Sequence, residues 1–185
     1  MIRSQIASFE ALSNGNEVSA AKSAVVLFHG FGADNNDLAS LASVVDPTNE
    51  RLWYFPNGPH KVEIGPHMTG RAWFPLRLSE LEQRGVDFTQ ITPDGMEKAV
   101  EQGVKAMEAL RVKHGLEWNQ IVIGGFSQGA MVALDIAVRL PGQLAGVTLF
   151  SSSLVNEPEL RKLASEKPGL KFFQSHGTHD MMLPY

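Results

Sequence analysis

Residues 121–131, Ile-Val-Ile-Gly-Gly-Phe-Ser-Gln-Gly-Ala-Met, constrain the fold of this chain more than any other stretch. The β-branched run 121–123 reads as a short buried strand, and residues 130–140 read as a helix that Pro141-Gly142 stops. The turn between them is therefore sharp, and it carries Gly125-Phe126-Ser127-Gln128-Gly129. A G-x-S-x-G between strand and helix is the pattern of a nucleophile elbow. The flanking glycines remove β-carbons that would clash, and Ser127 Oγ stands on a strained turn at a helix N-terminus. The plain alternative for these five residues alone is a Gly/Ser turn; the strand and helix on the correct sides favour the elbow.

The same alternation recurs along the chain. Residues 24–28 and 52–55 are continuous apolar runs, as expected of strands covered on both faces of a parallel sheet. Residues 144–150 and 170–175 continue the series, with a short helix over 157–166 between them. Residues 5–12 alternate in part and read as an antiparallel edge strand. A helix is predicted through Leu38, Leu41 and Val44 behind N-cap candidates at 34–37. Another is predicted from Thr92 as N-cap and Pro93 as first residue through Met96, Val100, Val104, Met107 and Leu110, with Gly115 past its end. Strand followed by helix, repeated, predicts an α/β protein built on a doubly wound, mostly parallel sheet. At 185 residues it reads as one domain.

Two further motifs sit at the ends of such strands. His29-Gly30-Phe31-Gly32 follows the strand at 24–28, where glycines let a loop turn toward the nucleophile and offer a backbone N–H. The N–H groups of Phe31 and Gln128 are the expected oxyanion donors, and the alternative is a glycine-rich turn with His29 buried beneath it. His176-Gly177-Thr178-His179-Asp180 follows the strand at 170–175, which puts Asp180 where an acid can orient a general base. A loop aspartate in an Asx-turn is the alternative there. Residues 57–92 read as an irregular functional loop around Ala72-Trp73-Phe74-Pro75. Gly30 and Trp73 are the expected substrate contacts, with a satellite core under the loop as the other reading of Trp73.

Composition excludes several classes. A net charge of −4 leaves no electrostatic footprint for nucleic acid or an anionic membrane. The absence of cysteine removes disulfides, thiolate metal sites and a Cys nucleophile. The first ten residues hold no apolar h-region, and no apolar run approaches the roughly 18 residues of a spanning helix. The expected location is cytoplasmic. No metal is expected; a zinc site on His176, His179 and Asp180 lacks a further partner motif.

With these three motifs in order, the sequence resembles the carboxylesterase and phospholipase family of α/β-hydrolases that includes acyl-protein thioesterases. The resemblance covers residues 25–185, and Gly124-Gly125-Phe126-Ser127-Gln128-Gly129-Ala130 with Trp73-Phe74 carries it beyond α/β-hydrolases in general. It implies an α/β-hydrolase fold and a serine hydrolase without cofactor. Such an enzyme cleaves small esters or thioesters of short to medium acyl chains, lipid- or protein-borne, through an acyl-enzyme on Ser127, with Asp180 orienting the base. In this fold the triad runs Ser, Asp, His, and only five residues follow Asp180. The triad histidine, a last strand and a last helix are thus expected beyond Tyr185, with His179 as a weak substitute. Ending at Tyr185, the chain would expose the strand at 170–175 as an apolar edge open to a second copy. The rival reading is a hydrolase-fold binding protein, inactive for want of the base; a metal-dependent hydrolase on His176 and His179 ranks last.

Overall fold

The computed structural model describes residues 1–15, 21–76 and 88–183. Among these residues nine strands run in chain order: β1 (Ile2–Ile6), β2 (Phe9–Ser13), β3 (Ala24–Phe28), β4 (Leu52–Pro56), β5 (His60–Gly65), β6 (Met68–Ala72), β7 (Ile121–Phe126), β8 (Gly146–Phe150) and β9 (Phe172–Ser175). Four α-helices accompany them among the described residues: α1 (Leu41–Val45), α2 (Met96–His114), α3 (Gln128–Arg139) and α4 (Glu157–Ser165). Seven strands form one sheet in the order β1-β2-β4-β3-β7-β8-β9, parallel from β4 to β9, with β1 and β2 antiparallel. The predicted α/β-hydrolase arrangement is therefore present.

Strand order reverses between β3 and β7, because the chain leaves β3 for β4 on one side and returns to β7 on the other. In open α/β sheets the crevice at the carboxyl ends of such a pair is where ligands bind. Both candidate loops leave from there.

Every residue of β3 and β4 is buried, which accounts for their unbroken apolar runs. Alternate residues serve two cores. Ala24, Val26, Phe28, Leu52 and Tyr54 face the larger one with α2 and α3, and Val25, Leu27, Trp53 and Phe55 face a smaller one with Ala42 of α1. Helix α3 is buried from Gln128 to Val138, so it is apolar almost all round.

Several predicted elements differ in detail. Residues 5–12 belong to two strands, because Ala7 takes a left-handed φ of 49° and turns β1 back on β2. The helix behind 34–37 is only α1, since Asp34 Oδ1 accepts the Asn36 N–H and closes a turn instead. Helix α2 starts at Met96 rather than Pro93, behind Gly95 at φ 82°, and ends as predicted on a left-handed Gly115. The loop predicted over 57–92 contains the β5–β6 hairpin; its residues 77–87 lie outside the described ones. Among the described residues β9 pairs on one side only, with Phe172 and Phe173 52% and 61% exposed. No helix among the described residues is long and apolar enough to cross a membrane.

Candidate active site

Ser127 sits between β7 and α3 with φ 50° and ψ −120°, a conformation that costs a non-glycine residue about 1–3 kcal/mol. The neighbouring packing holds it there. The Ser127 N–H donates to the Phe150 carbonyl at the end of β8 at 2.9 Å. A β-carbon on Gly125 would stand 2.5 Å from the Phe28 carbonyl oxygen, and one on Gly129 would overlap the carbonyls of Phe28 and His29. Both glycines are thus required by the close approach of the elbow to β3.

Ser127 opens on a cavity of about 210 Å³. Phe31 from the loop after β3, Phe74 and Leu76 after β6, Pro93, Met131 one turn along α3, Val155, Met182 and Leu183 make its walls apolar. Gln128 completes the floor. Among the described residues the main-chain N–H groups of Phe31 and Gln128 donate to no acceptor. They are the two amides the sequence singled out, and both belong to residues that line the cavity.

The loop after β3 is held from two sides. The Gly32 N–H donates to the Arg71 carbonyl at 2.8 Å and the Arg71 N–H donates to the Ala33 carbonyl at 2.7 Å, so β6 fastens the loop from outside. Inside, His29 Nε2 accepts the Gly58 N–H at 2.9 Å, which leaves the ring proton on Nδ1 to donate to the Gly30 carbonyl at 2.7 Å. Burial is the main cause of a His29 pKa below its ordinary value. With both ring nitrogens engaged, His29 is a structural residue.

Neither expected substrate contact lines the cavity. Trp73 is 0% exposed; its ring packs between Phe9 and Phe28, and its indole N–H donates to the His29 carbonyl at 2.8 Å. Trp73 belongs to the larger core with Phe9 and Phe28, not to a satellite under the loop, and the neighbouring Phe74 lines the cavity. Gly30 is buried, and a β-carbon there would stand 2.9 Å from the Phe126 ring.

Asp180 lies past the end of β9. Its Oδ1 accepts the N–H groups of Met182 at 3.0 Å and Leu183 at 2.9 Å, which makes an Asx-type turn and holds two cavity walls in place. The Leu183 N–H is the chief cause of its pKa lying below the ordinary carboxylate value. His176 Nε2 donates to the Leu183 carbonyl at 2.6 Å and stands 3.7 Å from Asp180 Oδ2. His179 is exposed, with Thr178 Oγ1 at 3.1 Å from its Nδ1. Among the described residues no histidine lines the cavity.

Sequence reasoning missed three contributors: the β5–β6 hairpin that fastens the loop, the side chain of Gln128, and the walls Met182 and Leu183. Gln128 Oε1 accepts the Trp73 N–H at 3.0 Å and Nε2 donates to the Phe74 carbonyl at 2.9 Å. A glycine at 70 amid residues of strand type was the available signal for a close backbone approach.

A family model described as phospholipase/carboxylesterase matches residues 15–185. Acyl-protein thioesterase 1 of Eremothecium gossypii is 30% identical over 168 residues, covering 89% of this chain and 68% of the relative. That of Saccharomyces cerevisiae is 29% identical over 182 residues, covering 92% and 78%. Among solved structures, esterase PE8 superposes with a TM-score of 0.78 at 32% identity, over 95% of this chain and 78% of the other. A carboxylesterase from Mesorhizobium loti, at 17% identity and TM-score 0.67 over 95% and 88%, shares the fold.

Proposed function

Since the chain belongs to the phospholipase/carboxylesterase family, and is a hydrolase of esters or thioesters, we propose that it works through an acyl-enzyme on Ser127. The single observation that carries this is Ser127 held at φ 50° in an apolar cavity that Phe31 and Gln128 also line, their main-chain N–H groups without acceptors among the described residues. Ser127 Oγ attacks the carbonyl carbon, and the carbonyl oxygen takes the electron pair and becomes an oxyanion bound by the Phe31 and Gln128 amides. Collapse breaks the bond to the alcohol or thiol, which leaves with the proton from Ser127; water then repeats the sequence and frees the acid. Asp180 orients the base through Oδ2, which accepts neither of the N–H groups held by Oδ1 and stands 3.7 Å from His176 Nε2.

An apolar cavity of about 150 Å³ holds a benzene ring, so about 210 Å³ here suits an acyl group of short to medium length. A second reading, a binding protein that does not turn over, draws on one observation: no described histidine lines the cavity.

The experiment is a fluorophosphonate probe on the 185-residue chain beside Ser127→Ala. Rapid labelling lost in the variant supports the acyl-enzyme and places a working base within these residues. Labelling no faster than that of a free serine, in a folded chain, favours the second reading for this chain.

A further inference from the structure

The two amides assigned to the oxyanion stand on separate elements, the loop after β3 and the first residue of α3, and a stabilised oxyanion needs both aimed at one point. The contact that ties these elements together is a side chain the chemistry above does not use. Gln128 is 2% exposed, and its terminal amide grips the 73–74 segment from both ends, accepting the Trp73 N–H and donating to the Phe74 carbonyl. Trp73 in turn holds the loop after β3: its indole N–H donates to the His29 carbonyl, and its ring centroid lies 5.1 Å from that of His29. From the main chain of Gln128 to that of Phe31, the path runs through the Gln128 side-chain amide, Trp73, His29 and Gly30.

We infer that the Gln128 side chain is a positioning residue for the oxyanion hole, bracing the Trp73-Phe74 segment against the elbow and so setting the Phe31 N–H relative to the Gln128 N–H. This rests on the proposed acyl-enzyme. The strap presents one donor and one acceptor, so the brace must end in one acceptor and one donor. Glutamine does so, and so does a protonated glutamic acid; methionine and ionised glutamate do not. Substituting Gln128 keeps its main-chain N–H, so only the aim of the hole changes. Aim matters when negative charge develops on oxygen, and much less when a neutral ester binds.

The test compares the 185-residue chain with Gln128→Met, Gln128→Glu and Ser127→Ala. It measures the inactivation constant and the binding constant of a fluorophosphonate, together with the backbone ¹⁵N–¹H resonance of Phe31. Gln128→Met is expected to slow inactivation by about tenfold or more with binding within about twofold, and to move the Phe31 resonance. Gln128→Glu is expected to match it near about pH 8. Its rate relative to the parent should then recover as the pH falls toward about 5, because burial raises the glutamate pKa and the acid form restores the donor. That recovery also decides the question if Gln128→Met does not fold.

Parent-like inactivation in a folded variant overturns the inference. So does parallel loss of rate and binding with no pH recovery, which is what a merely structural role gives. If the parent is not labelled at Ser127, the acyl-enzyme reading fails by itself; the Phe31 resonance then decides the brace, with a shift supporting it and no shift overturning it.

Discussion

The Cα of Gly70 lies so close to the main chain of Gly32 that a β-carbon on Gly70 would overlap the Gly32 carbonyl group. This contact lets the exposed β5–β6 hairpin fasten the loop that carries Phe31. Gly70→Ala is expected to push the hairpin off the loop, break the two Gly32–Arg71–Ala33 backbone bonds, and cost about 1–3 kcal/mol. Fluorophosphonate labelling should fall with it. A thermal melt and a labelling time course check both, and an unchanged labelling rate would show that the hairpin does not hold the loop.

Packing between α2 and α3 is tight at one point away from the site. A β-carbon on Gly103 would overlap Ile136 Cδ1 and lie 2.9 Å from Cγ1, and Ile136 is fully buried. Gly103→Ala gains helix propensity of about 0.5–1 kcal/mol but overfills the crossing by about 1–3 kcal/mol, so net destabilisation is expected. Ile136→Val removes the offending methyl at about 0.5–1.5 kcal/mol by itself. In the double variant the two costs should not add, and a coupling of about 1 kcal/mol in a denaturation cycle is expected; additivity would mean that the crossing has room.

What was legible in the sequence was what local pattern decides. Unbroken apolar runs gave away β3, β4 and β7, because a strand covered on both faces has no polar side to alternate. The elbow was legible because its G-x-S-x-G pattern lies within one turn of chain, even though the contact its two glycines serve is with the distant carbonyls of Phe28 and His29. The site's bracing was not, since Gln128 meets Trp73 and Phe74 across more than fifty residues of sequence. No local signal distinguishes a buried tryptophan from a pocket wall, so the sequence leaves both readings of Trp73 open and does not mark Phe74 as the residue that lines the cavity. The β5–β6 hairpin escaped because its residues are mostly exposed, so neither apolar runs nor strict alternation marks it.

Burial of His29 links pH to stability with a definite sign. The folded chain holds the ring neutral, with Nε2 accepting from Gly58 and a pKa below the ordinary 6.5. Above pH 6.5 neither folded nor unfolded chain is protonated at this site, and its contribution is intact. As pH falls below 6.5 toward the lower folded pKa, the unfolded chain binds a proton that the folded one refuses, and stability is lost. His29→Gln should therefore be less stable than the parent at neutral pH, by about 1–3 kcal/mol for the disturbed buried bonds. It should also lose less on acidification. Melting profiles of both chains across this window test it, and parallel profiles would remove His29 as the source.

Asp180 holds two positions at once, and two substitutions separate them. Its Oδ1 fixes the cavity walls Met182 and Leu183 through their N–H groups, while Oδ2 accepts neither of them and stands 3.7 Å from His176 Nε2. Asparagine keeps an acceptor at Oδ1 but loses the charge, so Asp180→Asn should leave stability and fluorophosphonate binding close to the parent. Alanine keeps neither, so Asp180→Ala should cost about 1–2 kcal/mol and weaken binding as the wall loosens. The inactivation rate carries the functional distinction. Where an acid orients a histidine base, the Asp-to-Asn change lowers turnover by about 10⁴-fold. A large fall in rate for Asp180→Asn with binding preserved identifies Asp180 as the acid of a working triad. A rate equal to the parent's, with only Asp180→Ala affected, leaves it as the residue that shapes the cavity, and the proton from Ser127 must then be accepted without it.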